Sequence, residues 1–166
     1  MLHKDFREFI ELLNAHQVDF LIVGAHAVAF HARPRYTGDL DIFVRASAEN
    51  GTRVAAALRD FGFAELGLTS GDFARPGHVV QLGREPVRID ISTAITAVSF
   101  DEAWNEKCSG AMDGLPVFFL SKRHLMANKQ AVARDKDIVD VANLRKVRDN
   151  QQSLSLRVDE TKTGRP

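Results

Sequence analysis

Val18-DFLIVGAHAVAFHARPRYTGDLDIF-Val44 is the stretch whose reading decides the fold. Phe20, Leu21, Ile22 and Val23 make an apolar run that stops at Gly24, the pattern of a buried strand ending in a turn. A short helix is expected over 25–32, then a basic loop, Arg33-Pro34-Arg35, then a strand that opens with Asp39 and Asp41. Side chains alternate along a strand, so Asp39 and Asp41 share one face while Leu40 and Ile42 enter the core. Two like charges side by side are either a solvated strand edge or ligands for a cation. Oxygen donors of this kind suit Mg²⁺ or Mn²⁺. A strand–glycine–helix unit offers backbone N–H groups to an anion at the helix start. Phosphate donors, basic side chains and carboxylates thus fall between Gly24 and Asp41.

Further along, Val87-Arg88-Ile89-Asp90-Ile91-Ser92 alternates apolar and polar residues, so Asp90 projects from the polar face of a strand. Taken alone, Asp90 reads as a solvated strand aspartate. Near the end, NKQAVARDKDIVD holds Lys129, Arg134, Lys136, Asp137 and Asp140. These form either a surface salt-bridge lattice, with Lys136 and Asp140 at i, i+4, or a group in which Asp137 fixes a basic residue pointing into a cleft.

Val23-Gly24-Ala25, Arg35-x-Thr37-x-Asp39-Leu40-Asp41, the lone Asp90 and Lys129-x-x-x-x-Arg134-x-Lys136-Asp137 follow one another in the order of a known pattern. Over about residues 5–147 the chain resembles the nucleotidyltransferase superfamily with the polymerase-beta-type fold. Within it, the chain is similar to the bacterial branch of AbiEii-type toxins and small nucleotidyltransferases. The resemblance implies an α/β (α+β) fold, a small mixed sheet flanked by helices with a short C-terminal helical segment. It implies transfer of an NMP from an NTP to an acceptor hydroxyl, on an RNA end such as tRNA, a protein or a small molecule. Asp39, Asp41 and Asp90 would be catalytic and hold Mg²⁺ or Mn²⁺. Two such ions, about 4 Å apart, would activate the incoming hydroxyl and neutralise the leaving oxygen. Gly24, Ala25, Arg35, Thr37 and Lys129 would bind the nucleotide. A cognate toxin or antitoxin is the implied partner. Ala25 departs from the pattern, because many relatives carry a hydroxyl there.

The residues leave several roles open. Arg35 orients an aspartate or meets phosphate with its planar fork. Thr37 bonds its own turn or braces Asp39. Lys129 is a surface lysine or faces the triphosphate. His26 and His31 are five apart, so they do not form an i, i+4 metal pair. Two other classes of function also fit: a nucleotide- or partner-binding module of this fold without catalysis, favoured by Ala25, and, more weakly, a metal-dependent phosphodiesterase.

The rest of the 166-residue chain reads as one domain over 1–147 and a polar tail over 148–166. Lys plus Arg equals Asp plus Glu, 22 each, which argues against a broad surface for coating nucleic acid. A lone Cys108 excludes an internal disulfide and fits a reducing, cytoplasmic setting. No membrane-spanning run is seen. Phe6, Phe9, Ile10 and Leu13 predict an amphipathic first helix, with His16 as a cation at its end. A helix capped by Ser47 is expected over 47–61, a loop or irregular strand over 66–77, and a hairpin of strands 78–82 and 87–92. A Ser99-x-x-Glu102 capping box predicts a helix over 99–108 with Trp104 in the core. Met112-Asp113-Gly114-Leu115 predicts a tight turn into a strand over 116–120. Ser121 then caps one long helix or the first of two shorter ones, whose apolar residues run from Leu125 through Ile138 and Val139 to Leu144.

Overall fold

The structure, a computed structural model, describes residues 1–147. The expected tail over 148–166 lies outside the described residues. The first helix, α1 (Lys4–Ala15), buries Phe6, Phe9, Ile10 and Leu13, as their i, i+3, i+4, i+7 spacing requires. The chain then enters β1 (Phe20–Ile22), α2 (Gly24–His31) and β2 (Asp39–Val44). A helix α3 (Ala48–Leu58) leads into a hairpin of β3 (Val79–Arg84) and β4 (Val87–Ser92). After α4 (Phe100–Asn105) comes a second hairpin, β5 (Cys108–Met112) and β6 (Leu115–Phe119), and two helices close the domain, α5 (Lys122–Val132) and α6 (Asp135–Lys146).

The six strands form one mixed sheet in the order β3-β4-β2-β1-β6-β5. β2 runs parallel to β4 and antiparallel to β1, which in turn runs parallel to β6. This is the small mixed sheet with flanking helices that the sequence implied. Leu21, Ile22, Leu40, Ile42 and Ile91 are fully buried at its centre. Among the described residues no helix is long and apolar enough to cross a membrane.

Local expectations fail where tertiary contacts decide. The helix over 47–61 stops regularly at Leu58 and continues as a wider turn through Gly62, whose φ of 107° no ordinary helix accepts. Ser47 caps it as expected, accepting from the Asn50 N–H. The loop over 66–77 contains a short helical turn, Ser70–Phe73, which anchors itself by fully burying Phe73. The turn of the first hairpin is tighter than expected, because β3 continues to Arg84. The helix over 99–108 is only six residues long, and the Ser99 side chain makes no capping bond. Cys108, placed at its end by the sequence reading, instead opens β5 and pairs with Phe119. The run CSGAM has no apolar alternation to announce a strand; the neighbouring edge of β6 recruits it. The Met112–Leu115 turn forms as expected, with positive φ at Asp113 and Gly114. Ile138 and Val139, expected on an apolar inner face, are exposed, while Val141 and Leu144 are buried.

Candidate active site

The parallel register of β2 and β4 sets Asp41 directly opposite Asp90 and Asp39 directly opposite Arg88. Partners across a sheet point to the same face, so all three aspartates and Arg88 project together. The β1–α2 turn closes over this face. A Cβ on Gly24 would lie 2.1 Å from Asp41 Oδ2, and its φ is +62°, so only glycine fits. Gly24 is therefore a wall of the carboxylate site as well as the start of α2.

Burial raises the Asp41 carboxyl to about 6, and the charges of Asp90 and Asp39 push the same way against Lys136 and Arg88. The positive charge in contact is Arg88. Its Nε donates to Asp90 Oδ1 at 2.9 Å, and its Nη2 donates to Asp90 Oδ2 at 3.0 Å and to Asp39 Oδ2 at 3.2 Å. The sequence reading left Arg88 as a polar-face neighbour. Its signal was present, since it lies two residues before Asp90 on the same strand face.

The other expected nucleotide binders separate. Thr37 Oγ1 accepts from the Asp39 N–H at 3.2 Å and also lies 3.2 Å from the Asp39 carbonyl. It is at once the turn residue and the brace of Asp39. Ala25 is buried in the first turn of α2. Arg35 does orient an aspartate, but one on α6: its Nη2 donates to Asp140 Oδ2 at 3.1 Å. Lys129 is neither a surface lysine nor open toward a ligand. It is 4% exposed, with Nζ 3.0 Å from Asp137 Oδ1 and 2.8 Å from Asp140 Oδ2. Asp137 also accepts from Arg134 Nε at 2.7 Å. The expected surface lattice is thus a buried network, because α5 and α6 fold back on each other and enclose Asp137 and Asp140. Burial pushes Asp137 upward, but hydrogen bonds from Arg134 and Lys129 outweigh it and hold the carboxyl at about 2. Lys136 lies outside this network; it is exposed, and its charge bears on Asp41.

The two α2 histidines split as their spacing implied. His31 Nε2 lies 2.7 Å from the Leu120 carbonyl. His26 packs edge-on against Phe6, burial lowers its pKa, and its Nε2 has no hydrogen-bond partner among the described residues. His16 stands at the end of α1 with Nε2 2.7 Å from Asp60.

Among the described residues no three His, Cys, Asp or Glu side chains stand as a ready-made metal cage. The donor set nonetheless fits a hard cation. It is all carboxylate oxygen, and Asp41 is pushed up first by burial and then by the charges of Asp90 and Asp39.

A mixed sheet with two aspartates opening one strand, a third on its parallel neighbour and a glycine turn against them defines the nucleotidyltransferase fold. The chain belongs to the family described as nucleotidyl transferase of unknown function (DUF2204), whose model matches residues 2–165. It is an enzyme of the nucleotidyltransferase class. Among solved structures it is similar to TM1012 of Thermotoga maritima, a protein assigned to the nucleotidyltransferases. That likeness has 16% identity, covers 85% of this chain and 88% of the other, and has a TM-score of 0.53. It is also similar to the lincosamide antibiotic adenylyltransferase LnuA with lincomycin bound, at 14% identity over 89% of this chain and 99% of the other, with a TM-score of 0.55. At these identities the likeness speaks for the fold. No curated protein matches the chain.

Proposed function

We propose that the protein moves an NMP from an NTP to an acceptor hydroxyl, with Asp39, Asp41 and Asp90 as the metal-holding carboxylates. One observation carries this reading: the β2–β4 register sets Asp41 against Asp90 beside the Gly24 turn, and crowding with Asp39 and Asp90 helps raise Asp41 to about 6. Mg²⁺ or Mn²⁺ held there would activate the acceptor oxygen and neutralise charge on the leaving pyrophosphate. The chain's own residues supply the rest. N–H groups of the first turn of α2, at Gly24 and Ala25, bind the triphosphate. Lys136 brings positive charge to the same face. Asp90 accepts the proton of the acceptor hydroxyl as its oxygen bonds the α-phosphorus and the bond to the bridging oxygen breaks. Thr37 keeps Asp39 in register, and Arg35 and Lys129 act at a distance by holding α6 in place.

The acceptor in this reading is an RNA end, a protein or a small molecule, and a toxin–antitoxin role of the AbiEii type is one setting for it. A second reading, binding without catalysis, draws on two observations. Ala25 has no hydroxyl to offer phosphate, and Arg88 already occupies two of the three carboxylates. Label transfer separates the readings. The protein is incubated with each α-labelled NTP, Mg²⁺ or Mn²⁺, total RNA and cell lysate, beside an Asp39→Asn/Asp41→Asn variant. Label entering a product only with intact aspartates supports transfer. Nucleotide binding with no product from any NTP would overturn it in favour of the binding module.

A further inference from the structure

The geometry points to Arg88 as a built-in cation that competes with free divalent metal for Asp39 and Asp90, so that the site loads metal together with the nucleotide. This rests on the metal-and-nucleotide reading above and concerns how that site fills. One guanidinium takes both oxygens of Asp90 through Nε and Nη2, and the same Nη2 reaches Asp39. Asp39 and Asp90 are its hydrogen-bond partners among the described residues. A dication sharing these oxygens would lie a few ångströms from a fixed positive charge and be repelled by it. Arginine keeps its proton in proteins, so the repulsion is relieved only by moving the side chain.

The sign reverses for a metal that arrives on a triphosphate. That complex carries net negative charge, so Arg88 attracts it. The phosphate oxygens also offer the guanidinium fork a planar, bidentate partner in exchange for Asp90. The Arg88 side chain is 26% exposed and is anchored at its tip by the carboxylates, so it can leave without unpacking the core. The carboxylates would then stay paired until substrate arrives, and a metal ion alone would bind weakly. A guanidinium that merely braces Asp90 predicts the opposite, because removing a brace loosens the metal site.

Mn²⁺ binding followed by electron paramagnetic resonance tests this without turnover. The full chain is titrated as wild type, Arg88→Gln, Arg88→Met, Arg88→Lys and Asp41→Asn, with and without a non-hydrolysable NTP analogue, after circular dichroism shows each is folded. Without nucleotide, either neutral variant should bind Mn²⁺ about tenfold tighter than wild type, a gain of ~1.4 kcal/mol. Arg88→Lys, which keeps the charge, should stay near wild type. With the analogue the gap should close. Neutral variants that bind Mn²⁺ no tighter than wild type, while Asp41→Asn weakens binding, would overturn the competition and leave the carboxylate site standing. Mn²⁺ binding unchanged by Asp41→Asn would overturn both.

Discussion

Two clusters of charge in this domain are built from the same residue types and behave in opposite ways. On the sheet face, Asp39 and Asp90 share the one guanidinium of Arg88, and Asp41 beside them is raised to about 6. Between α5, α6 and the loop before β2, two aspartates share Lys129, Arg134 and Arg35, and Asp137 is lowered to about 2. The second cluster is the more deeply buried and has its charges answered within the chain. The first is left short of positive charge. A folded protein tolerates such a deficit where an external cation or substrate is to supply it. In the proposed reading the balanced cluster holds the scaffold, and the unbalanced one marks the chemistry.

Breaking the balanced cluster should have the largest effect. Lys129→Met leaves Asp137 and Asp140 facing each other without their shared cation, and should lower stability by about 3–5 kcal/mol in urea unfolding. A loss under ~1 kcal/mol would show that the network is not structural. In the unbalanced cluster the same kind of deletion should spare the fold. Asp41→Asn is expected to reduce nucleotidyl transfer by about 100-fold or more, since in the proposed reading it removes a metal ligand and not an outer-shell partner, while the urea midpoint holds or rises.

The two clusters also predict opposite pH limbs, which sharpens the contrast. Asp41 has a folded pKa above its ordinary 3.8, so the native state holds its proton longer than the unfolded chain does. Stability from this group is therefore highest below pH ~4 and falls as pH rises to about 6, by on the order of 2–3 kcal/mol. Asp137 has a folded pKa below 3.8. Its contribution is complete above pH ~4 and is lost as pH falls toward 2. Urea midpoints from pH 2 to 8 should show both limbs in wild type, and Asp41→Asn should remove only the upper one. Mn²⁺ binding to the metal-free protein should tighten as pH rises through about 6, because Asp41 must ionise to take a cation. The smallest effect is expected from Ala25→Ser, which adds a hydroxyl beside the turn proposed to bind phosphate. It should lower KM for the NTP by up to about tenfold, one charge-assisted hydrogen bond, with kcat little changed. An unchanged KM would mean that the turn does not touch phosphate.

The sequence by itself determined the carboxylate face. Asp39 and Asp41 two apart, Asp90 among Val87, Ile89 and Ile91, and Gly24 after an apolar strand are local patterns, and the period-2 alternation of strands carries them into space. It also determined α1, the Ser47 and Ser121 caps and the Asp113–Gly114 turn, because spacing and turn chemistry act over a few residues. Tertiary structure alone decided which residues meet across long separations. Arg35 reaches Asp140 over 105 positions, and Arg88 reaches Asp39 over 49. Lys129 read equally as a surface lysine or as one facing the triphosphate until the α5–α6 pairing enclosed it, and Cys108 looked like a helix end until β6 offered it an edge. Charge at a buried site depends on the sum of all neighbours, and only the folded chain sets that sum. The residue types proposed to carry the chemistry were therefore legible in order along the chain, whereas the balance of charge that separates the sheet-face cluster from the scaffold was not.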